Sequence, residues 1–168
     1  MRKNRMGIAA ALVVLLLAVT AAAADFKTWI PLLPEQLGGL PRLDQPEGLN
    51  VGSGGQAWST LTQEYARDDS DRSFSLILVS GAAAPEAQAF EAMSQVTMET
   101  SDQVVKSVPV GEYRALLQLD KDSLRGSLII SLGPHSLVVL QGEPVAAEDE
   151  LLKVAREVPL KKIAAALK

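Results

Sequence analysis

The sequence predicts an α+β domain: a mainly antiparallel sheet of about six strands packed by helices, in the order helix, hairpin, helix, four-strand meander, C-terminal helices. Three observations carry this expectation. Two strand-like runs, 57–66 and 73–79, flank the polar turn Arg67-Asp68-Asp69-Ser70-Asp71-Arg72. Four further short runs are joined by connections too brief for parallel crossovers. Four stretches space their apolar residues at helical intervals.

The first helical stripe joins Phe26, Ile30, Leu33, Leu37 and Leu40, broken by Pro31 and Pro34 and ending at Gly38-Gly39. The segment from Pro41 to Gly55, rich in Pro and Gly, reads as a loop. In the hairpin that follows, Phe74, Leu76 and Leu78 share one face of the second strand. Ser73, Ser75, Ile77 and Val79 share the other, so both faces need some cover. Pro85 suits a first helical position, and Ala89, Phe90, Met93 and Val96 supply that helix with its expected buried stripe.

The meander comprises 103–108, 112–119, 124–132 and 136–141. Tyr113, Ala115, Leu117 and Leu119 match Leu124, Gly126, Leu128 and Ile130 on one face, leaving Arg114, Gln118, Arg125 and Ser127 on the more polar one. A helix from about Ala146 to Val158 opens with Glu148, Asp149 and Glu150, as the helix dipole favours, and buries Leu151, Val154, Ala155 and Val158. Beyond Pro159 a last short helix carries Leu160, Ile163, Ala164 and Leu167.

Ahead of all this, Arg2, Lys3 and Arg5 precede an uncharged run from Met6 to Ala24 that ends in small residues at Ala22 and Ala24. That order is a secretory signal, with the cut expected between Ala24 and Asp25. The expected destination is outside the cytoplasm, in a bacterial periplasm, with no stable membrane span after cleavage. The alternative is a tether by an uncleaved helix, since this uncharged run of 19 residues approaches the about 20 that cross a bilayer. The organisation is then 1–24 signal, 25–55 irregular helical segment and loop, and 56–168 α+β domain, with 25–168 one folded unit.

Residues 1–24 hold three of the 16 Lys and Arg and none of the 20 Asp and Glu. From Asp25 onward 13 cations therefore face 20 acids, a net charge of −7. That balance argues against nucleic acid and anionic membrane surfaces as partners. With no Cys, disulfides and thiolate metal sites are excluded.

Catalytic chemistry finds little footing. The single histidine, His135, follows Gly133-Pro134 in a strand connection and has no second His or Cys to join it. The acidic turn with Asp68, Asp69 and Asp71 lacks the loop glycine and distal Glu of a calcium loop. Gly52-Ser53-Gly54-Gly55 lacks both the Lys of a phosphate loop and the leading Gly of a nucleophile elbow. Met93 and Met98 read as packing residues without a His-Met cluster. No catalytic, cofactor or metal residues are expected. One constellation stands out: Arg114 and Arg125 on a shared sheet face, with Trp58 and Tyr65 on the first hairpin, as a face for an anionic ligand or partner.

The layout from Trp58 to Leu167, including VGEYRALLQLDKDSLRGSLIISLG and DELLKVAREVPLKKIAAAL, resembles PsbP-like domains and small exported bacterial proteins of similar hairpin-helix-meander-helix order. Such domains are mostly binding or assembly modules, so the resemblance implies binding of a protein or small ligand rather than catalysis. The expected function is a non-catalytic binding or accessory module of the cell envelope. A carrier of an apolar molecule or lipid is the alternative, and a carboxylate-based enzyme a third reading.

Overall fold

The computed structural model describes residues 25–53, 56–81 and 84–167. The signal expected over 1–24 lies outside them. Ten strands and four helical segments follow in order: a 3-10 helix (Phe26–Leu32), β1 (Gln36–Leu37), β2 (Leu40–Pro41), β3 (Glu47–Ser53), β4 (Gln56–Ala66), β5 (Ser73–Ser80), α1 (Pro85–Met93), β6 (Met98–Glu99), β7 (Gln103–Val110), β8 (Tyr113–Asp120), β9 (Arg125–Gly133), β10 (Ser136–Glu143), α2 (Glu148–Ala155) and α3 (Leu160–Ala166). Eight strands form one antiparallel sheet in the order β3-β4-β5-β10-β9-β8-β7-β6; β1 and β2 make a separate hairpin.

This overturns the expected α+β class with its six-strand, helix-packed sheet. The domain is predominantly β, with an eight-stranded sheet and helical segments of only seven to nine residues. The largest difference lies in the segment read as a loop. Within it Glu47–Ser53 pairs along its whole length with β4, from Glu47 opposite Thr62 to Ser53 opposite Gln56. Gly48 and Gly52 weaken the strand signature, yet Gly48 is what the site needs: a Cβ there would lie 2.1 Å from the Phe26 ring. The N-terminal helical stripe is corrected likewise. Helix stops at Leu32, and Gly38 and Gly39, at φ 59° and 78°, form the two-residue turn of the β1-β2 hairpin. The residue that anchors this segment is Trp29, wholly buried and absent from the expected stripe.

The alternation of each strand gives the sheet a front and a back. The front carries Leu61, Tyr65, Phe74, Leu76, Leu78, Ala115, Leu117, Leu128, Ile130, Val138 and Leu140. The 3-10 helix, α2 and α3 close over it with Trp29, Leu151, Val154, Leu160 and Ile163. The end of α3 is tied down through the residue that caps it, because the Ser80 and Ser136 hydroxyls both donate to Leu167 O, at 3.1 and 2.9 Å. The back has a smaller core: Val79, Leu116 and Leu137 meet Ala84, Ala87 and Phe90 at α1, with Trp58, Ile77 and Ile129 alongside. α1 is too short to cover the whole back face. That shortfall leaves the opening described next.

Candidate functional site

The strand register places the back face in rows. One row, Thr62, Ile77, Val139, Ile129 and Leu116, is largely apolar. Two residues further along each strand the character changes: Glu64, Ser75, Gln141, Ser127 and Gln118 stand side by side across β4, β5, β10, β9 and β8, and Val105 and Met98 extend the row onto β7 and β6. Beyond it lie Ser73, Glu143, Arg125, Asp120 and Gln103. A one-residue slip in any strand would replace these polar side chains by the front-face core, so the buried pattern of the front holds the row in register.

These side chains line an open groove of about 700 Å³. Met93, at the end of α1, and Met98, on β6, flank it and are 37% and 39% exposed. Met93 and Val96 were expected on the buried stripe of the helix. Val96 lies beyond α1, which ends at Met93, Met93 itself is exposed on the last turn, and of the expected stripe only Phe90 is buried. The groove therefore has a polar floor and a flexible thioether edge, which adapts to differently shaped ligands.

Three carboxylates, Glu64, Asp120 and Glu143, share the groove with one guanidinium, Arg125. Arg125 Nε lies 2.9 Å from Glu143 Oε2. With both side chains about half or more exposed, such a pair contributes roughly 0–1 kcal/mol and is easily exchanged for a ligand group. Asp120 is held below the usual carboxylate range, first by the Ser123 backbone N–H and further by the Ser123 hydroxyl, the Asp122 N–H and Arg125, with desolvation opposing. Its Oδ1 accepts from Asp122 N and Ser123 N, each at 3.0 Å. Asp120 is thus an acceptor that fixes the β8-β9 turn, and the shift runs opposite to what a general acid requires.

A lowered folded-state pKa makes this contribution complete above the ordinary Asp value of about 3.9 and removes it as pH falls through the lowered value. The amide resonances of Asp122 and Ser123 should then titrate with a midpoint below about 3.9, and Asp120→Asn should abolish that titration. A midpoint at or above the ordinary value would contradict the assignment.

The expected constellation of Trp58, Tyr65, Arg114 and Arg125 does not assemble. Arg114 and Arg125 do share the back face, but Arg125 is opposite Asp120, six residues along β8 from Arg114, or about 20 Å. Arg114 lies over the Phe90 ring, 5.8 Å from its centroid, where it covers the end of the back core. Trp58 is half-buried against that core. Tyr65 faces the front and is fully buried; its hydroxyl donates to Pro34 O at 2.9 Å, and burial pushes its pKa up to about 12. Arg42 Nε donates to the same carbonyl at 3.0 Å, so the two side chains pin the end of the N-terminal segment. Tyr65 is a structural clasp. Of the four, Arg125 alone belongs to the groove, and the acidic surroundings disfavour the anionic ligand that two arginines suggested.

Sequence reasoning missed Ser75, Gln118, Ser127 and Gln141 as a set. Each lies two residues from an apolar back-face neighbour on its own strand (Ile77, Leu116, Ile129 and Val139), and the in-register matching of four such positions is the signal that would have found them.

Elsewhere, His135 is exposed in the β9-β10 turn, where its carbonyl accepts from Gly81 N at 2.8 Å. The acidic turn is exposed, with Arg67 Nε 3.8 Å from Asp69 Oδ1. Among the described residues no group of three or more His, Cys, Asp or Glu is arranged to hold a metal, and no helix is long and apolar enough to cross a membrane. A second, mainly apolar cleft of about 400 Å³ lies between the β7-β8 turn and the α2-α3 junction, lined by Val110, Tyr113, Val158 and Leu160 and edged by Arg156 and Lys162.

Fold and site together define a predominantly antiparallel β domain with an open, mildly acidic groove on one sheet face. No protein-family model, curated protein or solved structure matches the chain.

Proposed function

We propose that the protein is a non-catalytic binding or accessory module of the cell envelope that holds a polar, neutral or cationic ligand or partner segment in the back-face groove. One observation carries the reading: Ser75, Gln141, Ser127 and Gln118 form a continuous row of hydrogen-bonding side chains that lines an open groove beside the patch of the back face that α1 covers. A sheet face with no role beyond solubility needs no such set, because dispersed charges serve that purpose better. The carboxylate excess sets the preference for a neutral or cationic occupant, and the methionine edge adds adaptable apolar contact. Export is supported by the residue order of 1–24. The carrier reading is less well supported, because the larger opening mixes polar and apolar side chains and the mainly apolar cleft is smaller and open to the surface.

A photo-crosslinking residue at Gln141, compared in cells with one at Glu112 on the distant β7-β8 turn, tests this. A discrete adduct is expected from position 141 alone, and Ser127→Trp, which fills the neighbouring floor, should remove it while leaving the melting temperature within a few degrees. Equal adducts from both positions, or an adduct indifferent to Ser127→Trp, would sink the proposal.

A further inference from the structure

The two edges of the large sheet are built differently. At one end β6 is only two residues long and covers Val104 and Val105 of β7. The rest of that edge carries Lys106 and Pro109, and proline has no N–H to offer a neighbouring strand. At the other end β3 runs for seven residues, Glu47-Gly48-Leu49-Asn50-Val51-Gly52-Ser53, with neither Lys nor Pro. Among the described residues nothing pairs with its outer edge. On its front face Phe26 covers Gly48, and Asn50 accepts from Phe26 N at 3.2 Å and donates to Asp25 Oδ1 at 3.1 Å; its back face presents Leu49, which is 51% exposed, and Val51, which stands opposite Trp58. An unguarded edge with an exposed apolar side chain is a template for strand addition.

We infer that β3 pairs with β3 of a second copy of this chain, antiparallel about a two-fold axis at Asn50, joining the two large sheets edge to edge. The sequence of the strand is self-complementary in that register. Leu49 stands opposite Val51 of the second copy and Gly48 opposite Gly52. Glu47 stands opposite Ser53, so the strand itself opposes no like charges. Centring the axis on any other residue leaves part of the strand unpaired. The register brings Leu49 and Val51 of both copies into one apolar patch on the back face, continuous with Trp58. It also uses an edge separate from the groove, so the inference stands independently of the proposed function.

Sedimentation velocity over a range of protein concentrations should give a species of twice the chain mass. Leu49→Lys should return it to the monomer: each lysine would oppose a valine, and the two would lie diagonally across the axis. Because Leu49 is half-exposed, the variant should keep its melting temperature at low protein concentration. The absence of native cysteine allows a second readout that does not depend on that variant. Mixed Leu49→Cys and Val51→Cys copies should crosslink to one another several-fold more than either does to itself, because only the mixed pair is directly opposed. A chain monomeric at every concentration, a dimer unaffected by Leu49→Lys, or equal crosslinking within and between the two variants would each overturn the inference. So would capture of a different protein at Leu49→Cys by a chain that does not self-associate.

Discussion

Trp29→Ala is expected to destabilise the domain by about 3 kcal/mol, a large share of the 5–15 kcal/mol that holds a typical domain folded. Trp29 is fully buried, and the 3-10 helix carrying it packs against β4 and α3. Truncating a core aromatic costs about 3–5 kcal/mol, and the lower end applies here. Among the described residues the buried indole Nε1 has no hydrogen-bond partner, so the wild-type side chain already bears a desolvation cost that alanine removes. Trp29→Phe separates the two effects. It keeps most of the ring, discards the orphan donor, and should cost less than about 1.5 kcal/mol. Urea unfolding followed by the fluorescence of the remaining Trp58 reads both variants through the midpoint at constant slope. Were residues 25–55 a dispensable extension, Trp29→Ala would change stability by no more than about 0.5 kcal/mol.

That result bears on how the domain was read from its sequence. β5, β8 and β9 were legible because alternate residues along each are buried, a period-two pattern that needs no knowledge of the partner strand. α2 and α3 were legible because Leu151, Val154, Leu160 and Ile163 fall on one stripe. The N-terminal third was not. Its helical spacing from Phe26 to Leu40 is compatible with a stripe, but Gly38-Gly39 turns the chain into a hairpin, and β3 exists because β4 offers it an edge. Tertiary pairing decided what local propensity did not. The same holds for the groove. Ser75, Ser127, Gln118 and Gln141 are unremarkable one strand at a time and become a site only when the register aligns them. The arginine pair was conspicuous in the sequence and is separated by the length of a strand.

Gly142→Ala is the second substitution with a large expected effect, a loss of about 2 kcal/mol from overpacking. Gly142 lies on the front face opposite both Phe74 and Gly126. A Cβ there would sit 2.6 and 2.7 Å from Cε1 and Cδ1 of Phe74 and 2.9 Å from a methyl of Val145. The ring has little room to withdraw: it is 1% exposed, and a Cβ on Gly38 would meet Cε2 of the same ring at 2.5 Å. Phe74 thus occupies a slot between Gly142 of the neighbouring strand and Gly38 of the β1-β2 turn, and α2 comes down over Gly126 with Leu151 in the same way. Phe74→Leu should therefore partly rescue Gly142→Ala, with a coupling of about 1 kcal/mol in the double-mutant cycle; additivity within about 0.5 kcal/mol would mean that ring and glycine do not constrain each other. The consequence reaches the groove, because Gln141 and Glu143 flank Gly142 and point to the other face. A shift of the β10 backbone that relieves the alanine must displace both groove side chains. Amide resonances of Ser75 and Ser127, which stand opposite Gln141, should move in Gly142→Ala and return toward their original positions in the rescued double variant.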